Sequence, residues 1–401
     1  MTCHYFSQHD TPREICFNTQ QKGFAEIKSQ IEELLPASGF KCAYETISSW
    51  PKYSPTPLLS LTNLANTIGV KSVLYKNEAE RFGLKSFKAL GGAYAVYKCL
   101  ENLIEEDPSN PQKIEAIQKK ISNITVTSAT DGNHGKSVAW GARMFGCKCI
   151  IFIHEKVSKN REIALKEYGA QVVRSGKNYD ESVKIANQSA QENGWYVISD
   201  TSYAGYTEIP KHVMNGYELM AYEAVVMQNA KPTHVFLQTG VGSLAAGVTA
   251  NLFRNLNYAP KIIVVDPEDA DCWTKSIKNK KPVNCEGDLN TLMAGLACGT
   301  VSILALELLS KTIDAAMSIS DIDAARAIRC LKFCKKSEQS IEAGESATAG
   351  LAGLILLSNS SSLKDRLTIN KNSEILIFGS EGVTDPDIYN KIINNDLLAD
   401  Q

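Results

Sequence analysis

An α/β fold is predicted, built as two domains that each carry a mainly parallel twisted sheet flanked by helices. Two observations predict the fold class. Short β-branched runs are apolar almost throughout rather than alternating, the pattern of strands covered on both faces. Between them lie stretches with helical spacing, which is how βα units read in sequence. The length of 401 residues adds the domain count, because it exceeds one core of ordinary size.

In chain order, the strand candidates are "SVLYKN" (72–77), "NITVTS" (123–128), "KCIIFIH" (148–154), "AQVVRSG" (170–176), "WYVISD" (195–200), "THVFLQTG" (233–240), "KIIVVDP" (261–267) and "EILIFGS" (374–380). Helical patterns include "GKSVAWGARMFG" (135–146), "NREIALKEYG" (160–169) and "YDESVKIANQSAQENG" (179–194). The polar stretch "EEDPSNPQKIEAIQKK" (105–120) reads as a surface excursion. In open α/β sheets ligands sit beyond the carboxyl ends of the strands, so the chemistry is expected in the loops that follow them.

Composition narrows the class of function. Lys and Arg number 42 against 44 Asp and Glu, a formal charge of −2 that gives no electrostatic reason to expect nucleic acid or an anionic membrane. The longest apolar runs, such as "LAGLILL", fall short of a membrane span. The N-terminal "MTCHYFSQHDTPREIC" places charged and polar residues where a secretory signal needs an apolar stretch, so a soluble cytoplasmic protein is expected. The 11 cysteines show no metal-ligand rhythm and no C-x-x-C pair, so reduced thiols and no metal are expected.

Three loops carry chemistry. "QTGVGSLAAG" (238–247) sets Gly240, Val241, Gly242, Ser243 and Leu244 between a strand and a helix. Backbone N–H groups at a helix start favour an anion, and glycine lets a phosphate approach. The loop lacks the Lys-Ser/Thr ending of a P-loop and the third glycine of a dinucleotide fingerprint; alone it is equally a plain strand-to-helix turn. "SATDGNHGKS" (128–137) sets Asp131, Asn133 and His134 among glycines. It reads either as a helix cap or as a side-chain amide and a carboxylate offered to a ligand. "ERFGLKSFKALGGAY" (80–94) holds Lys85 in a polar approach and Lys88 in an apolar one, with Gly91 and Gly92 following. A lysine that forms a Schiff base needs a desolvated setting, and a cation at a helix N-terminus is electrostatically misplaced unless it has a task. A Schiff-base lysine, an asparagine loop and a phosphate-sized glycine loop without metal chemistry together indicate one cofactor, pyridoxal 5′-phosphate.

With these motifs in hand the sequence resembles the fold type II pyridoxal-phosphate enzymes, the tryptophan synthase β and threonine dehydratase group. "SFKALGG", "DGNHG" and "GVGSLAAG" look like that family's lysine, asparagine and phosphate motifs, and "YSPTPLLSL" (53–61) like the segment that opens its domains. Within the group, "ERFGLKSFKALGG", "SATDGNHG", "DTSYAGYTEIP" (200–210), "MAGLACG" (293–299) and "GSEGVTDP" (379–386) are similar to the 2,3-diaminopropionate ammonia-lyases. That resemblance implies a homodimer acting on a small amino acid, with residues 1–90 and 201–401 forming the large domain and 91–200 the small one. It implies cofactor contacts by Lys88, Asn133, Gly240, Val241, Gly242, Ser243, Leu244 and Ser380. It makes Lys88, Asp131 and Asp200 catalytic, and Ser128, Thr130, Asp131 and Asp200 the substrate contacts. Ser380, a neutral hydroxyl, stands where some relatives carry threonine. Asp131 is the discriminating residue, since serine and threonine dehydratases usually have a small neutral residue there. Such a dehydratase, a non-catalytic ligand-binding relative and a dinucleotide-dependent dehydrogenase stay open as alternatives. Cys272 and Cys298, near "MAGLACG", are expected to approach each other in reduced form.

Overall fold

The computed structural model describes residues 5–104, 111–130, 132–155, 157, 159–177, 179–334 and 339–395. The chain forms two compact units. The larger is built from segments 1–37, 52–87 and 218–401 and the smaller from 38–51 and 88–217. The sequence reading had put 38–51 and 201–217 with the larger unit and drawn its first boundary after residue 90.

Among the described residues the larger unit holds seven strands: β1 (Glu14–Phe17), β2 (Leu58–Ser60), β3 (Ser72–Asn77), β8 (His234–Gln238), β9 (Lys261–Pro267), β10 (Ala315–Ile319) and β11 (Glu374–Gly379). They lie in the order β1-β10-β9-β8-β11-β3-β2. The five central strands run parallel, and β1 and β2 add antiparallel edges. Strand β9 is buried in all but its first residue, as expected of an apolar strand with both faces covered. The edges β1 and β2 are too short to stand out in sequence, and β10, "AAMSI", is buried throughout yet lacks the β-branched run that marks its neighbours. The apolar run "LAGLILL" forms most of helix Ala349–Ser358, in which every residue from Ala349 to Leu357 is buried. It packs on the sheet, where a Cβ at Gly350 would meet the Phe236 carbonyl oxygen at 3.0 Å. None of the described helices is long and apolar enough to cross a membrane.

The smaller unit holds β4 (Thr125–Ala129), β5 (Lys148–Ile153), β6 (Gln171–Arg174) and β7 (Tyr196–Val197), all parallel, in the order β6-β5-β4-β7. Helix Lys88–Ile104 crosses helix Asn133–Phe145 here, and small residues set the distance between them. A Cβ on Gly92 would fall 1.8 Å from Ser137 Oγ, and one on Gly141 would fall 2.7 Å from Ala93 Cα. The glycine Gly92 after Lys88 therefore serves close helix packing. Part of the stretch expected as a surface excursion is helical, Pro111–Asn123, and residues 105–110 lie outside the described residues.

Cys272 and Cys298 are free thiols, as are seven further cysteines. Cys330 is disulfide-bonded, which corrects the expectation of reduced thiols throughout.

Candidate functional site

Lys88 opens its helix directly, and the side chain that seemed misplaced for a helix dipole has a partner. Its ammonium meets the carboxylate of Asp200, and both side chains are largely buried. The ammonium also lies 5.9 Å from the ring centre of Tyr217, which is fully buried. Asp200 stands three residues beyond β7 in a loop pinned from within. The Tyr206 hydroxyl accepts the Ser199 N–H at 3.0 Å and donates to the Val197 carbonyl at 2.8 Å. His134, buried at the start of the helix after β4, sets its Nε2 3.0 Å from the Ile198 carbonyl and its Nδ1 3.9 Å from Asp200 Oδ2. Burial works to raise the Asp200 carboxyl, but Lys88 and His134 together hold it well below the usual carboxylate range. The same burial, opposed by Asp200 and aided by Lys88, lowers the His134 imidazole, so it favours the neutral form. The smaller unit thus gathers a carboxylate, a neutral imidazole and a phenol around one amine.

The loop from β4 into helix Asn133–Phe145 carries the other residues expected on this side. Ser128 is buried in β4, Thr130 accepts the Gly132 N–H at 3.4 Å, and Asn133 begins the helix. Gly132 takes the cap position of that helix, without a side-chain cap hydrogen bond. Asp131 lies outside the described residues.

In the larger unit, β8 leads through Thr239 into the glycine loop and helix Ser243–Asn255. Two hydrogen bonds orient the loop. Trp273 Nε1 donates to the Gly240 carbonyl at 2.9 Å, and the Ser302 N–H donates to the Val241 carbonyl at 2.9 Å. In a trans peptide the following N–H points opposite to the carbonyl, so the Val241 and Gly242 N–H groups are turned away from Trp273 and Ser302. Gly242 has φ of 100°, and a Cβ there would fall 2.2 Å from the Trp273 ring, so glycine is required twice over. The helix starts at Ser243 with no side-chain cap, leaving a helix N-terminus suited to an anion.

Ser380 follows β11 in the same unit and is buried. Its Oγ accepts the Gln238 side-chain N–H at 2.7 Å, which leaves its O–H as a donor. Its carbonyl accepts the Phe87 N–H at 3.0 Å, the residue immediately before Lys88. Each unit therefore assembles its own set: Lys88 with Asp200 in one, the glycine loop and Ser380 in the other. His134, Tyr217 and Gln238 have no task that the sequence alone announces, because their partners lie far off in the chain, and Tyr206 has none because its role depends on how its own loop closes. Among the described residues no cluster of His, Cys, Asp and Glu could hold a metal ion.

Residues 50–371 match the family described as pyridoxal-phosphate dependent enzyme. The diaminopropionate ammonia-lyase of Escherichia coli strain K12 is 38% identical over 353 residues, 85% of this chain and 87% of that protein. The crystal structure of holo diaminopropionate ammonia lyase from Escherichia coli superposes with a TM-score of 0.85 at 33% identity, covering 97% of this chain and 98% of that one. A crystal structure of the Escherichia coli enzyme in complex with an aminoacrylate-PLP azomethine reaction intermediate gives a TM-score of 0.83 at 34% identity, with coverage of 96% and 98%.

Proposed function

The chain belongs to the pyridoxal-phosphate-dependent enzymes and, within them, to the diaminopropionate ammonia-lyases, and from that premise we propose how its residues carry out the elimination. The reaction consumes 2,3-diaminopropionate and water and releases pyruvate and two ammonia molecules. When bound, pyridoxal phosphate supplies an electron-withdrawing ring that acidifies the substrate Cα–H and lets the β-substituent leave.

The residues present suit that group. The Val241 and Gly242 N–H groups, with Gly240, Ser243 and Leu244 completing the loop, hold its phosphate. Asn133 donates to the ring oxygen. Ser380 has its O–H free to donate because Gln238 occupies an acceptor site on Oγ, which matches an unprotonated ring nitrogen. Lys88 anchors the cofactor and, once displaced by the substrate amine, its Nζ takes the Cα proton of the L-enantiomer. Asp131 takes the Cα proton of the D-enantiomer from the opposite face. Asp200, kept anionic, attracts the β-ammonium, with Ser128 and Thr130 beside the substrate. The enzyme works as a cytoplasmic homodimer on this small amino acid, with no nucleic-acid or membrane partner.

The observation that carries this reading is the Lys88 ammonium held against the Asp200 carboxylate beside Tyr217. Such a pair keeps a reactive amine oriented and gives a dicationic substrate a carboxylate to meet. Pyruvate release from 2,3-diaminopropionate, serine and threonine, assayed side by side on the cofactor-loaded protein, tests it. Preference for 2,3-diaminopropionate is expected, and preference for serine or threonine overturns the substrate assignment. Light scattering tests the dimer, and a monomer mass at micromolar concentration overturns it.

A further inference from the structure

Two motifs of the sequence have no part in the chemistry above: "YSPTP", which opens the domain, and "NEAERFG", which precedes the lysine segment. In the larger unit they meet in one buried ionic cluster. Arg81 binds two carboxylates at once. Its Nε and Nη2 donate to Glu78 at 2.7 and 3.0 Å, and its Nη1 and Nη2 donate to Glu223 at 2.8 and 2.7 Å. Lys76 donates to Glu223 at 2.6 Å and to the Thr56 carbonyl at 2.6 Å. The Thr56 N–H and the Tyr53 hydroxyl close on Glu223, and the Thr56 hydroxyl donates to Glu78 at 2.6 Å. Side-chain exposure is 0% for Lys76, Glu78 and Glu223 and 1% for Arg81. Burial alone would lower the Arg81 guanidinium, but Glu78 and Glu223 hold it above its ordinary value. Two basic and two acidic side chains therefore meet where solvent does not reach them.

A cluster of this kind is an expensive way to gain stability, since apolar residues of similar volume often stabilise as well or better. Its specific yield is geometry, because a forked guanidinium fixes its two carboxylates in a plane. What it fixes here is strained. Directly after Arg81 the backbone turns left-handed at Phe82 (φ 53°) and Gly83 (φ 76°), then again at Lys85 (φ 59°). Non-glycine residues hold such conformations at a cost, and only where their surroundings over-determine them. The loop is held at both ends. The Glu78 N–H donates to the Gly379 carbonyl at 2.8 Å, the Gly382 N–H donates to the Lys85 carbonyl at 3.0 Å, and the Phe87 N–H donates to the Ser380 carbonyl at 3.0 Å. Lys88 is the next residue.

We propose that Arg81, with Glu78 and Glu223, is a positioning device for the cofactor lysine: the cluster clamps the entrance of the strained 82–85 turn so that Lys88 leaves it with its amine preset for the carbonyl of pyridoxal phosphate. The proposal rests on the cofactor assignment above. It separates the cluster's two cations, which share Glu223. Arg81 lies on the loop, whereas Lys76 lies on β3.

The test is cofactor capture by the full-length, cofactor-free protein. Pyridoxal phosphate is added, samples are quenched with borohydride over time, and the Lys88 peptide carrying the reduced adduct is counted by mass spectrometry. Melting temperatures are measured alongside. Arg81→Lys keeps the charge and loses the fork, while Glu78→Gln keeps the shape and loses the charge. Both are expected to slow capture on the order of tenfold, the scale of a small misplacement of a reacting group. Lys76→Met, which strips the same Glu223 of a cation, is expected to lower the melting temperature and leave capture within about twofold. Capture unchanged in both Arg81→Lys and Glu78→Gln, or slowed equally in Lys76→Met, overturns the proposal. If one loop variant does not fold, the other decides it. Failure of the unaltered protein to form the adduct would instead overturn the cofactor assignment.

Discussion

Two ionic groupings flank the same short stretch of chain and differ in every physical respect. Around Arg81 each charged side chain is sealed from solvent and several hydrogen bonds saturate it. Around Lys88 the amine and the Asp200 carboxylate keep 17% and 18% of their side chains exposed, with a phenol and an imidazole close by. The first arrangement is closed to solvent and is tied to the backbone of Ser54 and Thr56. The second leaves part of its amine exposed. Charge pairing alone does not mark a reactive site; the accessibility left after pairing does.

Substitution sharpens that contrast. Lys88→Ala should have the largest effect, a loss of turnover on the order of 10⁴-fold or more, because anchor and base are one group. Its melting temperature should fall far less than that of a variant in the sealed cluster. Steady-state pyruvate release and calorimetry on one preparation check both. Retained turnover would remove Lys88 from its role.

Next comes Asp131→Asn, which asks whether a second carboxylate belongs with the open grouping. Turnover of D-2,3-diaminopropionate should fall by about 10²–10⁴-fold, the range of a lost general base, and that of the L-enantiomer by less. Equal and negligible effects would reduce Asp131 to a turn residue and revive the dehydratase alternative. For Asp200→Asn a drop in kcat/KM of about 10–100-fold is expected on both enantiomers alike, chiefly through KM, the size of a charge-assisted contact. An effect on one enantiomer alone would make Asp200 a base instead.

Lys76→Met should reverse the pattern. It leaves Glu223 short of a buried partner, which costs about 3–5 kcal/mol of stability, while kcat of the folded fraction stays close to that of the unaltered enzyme. Denaturant titration against active-site-normalised turnover tests this, and a kcat effect exceeding the stability effect would blur the two classes. The smallest effect belongs to Lys85→Ala. The Lys85 ammonium is exposed and, among the described residues, donates to the Val383 carbonyl at 3.2 Å, so turnover and cofactor absorbance should be retained.

Much of the fold was open to inspection in the residues themselves. The strands of "SVLYKN" and "KIIVVDP" match β3 and β9 in their bounds, because each has a continuous apolar centre, the mark of a strand covered by other elements. Strand β10 was missed because Ala and Met fit a crowded interior without announcing a strand, and "WYVISD" yielded only Tyr196–Val197 because the Tyr206 hydroxyl takes up backbone groups at its end. Lys88 stood out from Lys85 by its apolar neighbours, a local property. His134, Tyr206, Tyr217 and Gln238 did not stand out. His134, Tyr217 and Gln238 act through partners far off in the chain, and Tyr206 through a loop closure that its residue type alone does not announce.

Residue types and their neighbours fix which groups can do chemistry: a desolvated lysine, an amide loop, a glycine turn at a helix start. Local chemistry suffices for that, since side-chain type, flanking polarity and the freedom of glycine are written residue by residue. What those residues meet depends on the folded chain. It set Asp200 against Lys88 across 112 positions and Gln238 on Ser380 across 142, and it bound Arg81 to Glu223 across 142. It also set Gly92, after Lys88, against Ser137 of a second helix. Such pairings depend on how sheets and helices close on one another, and that closure is a property of the whole chain.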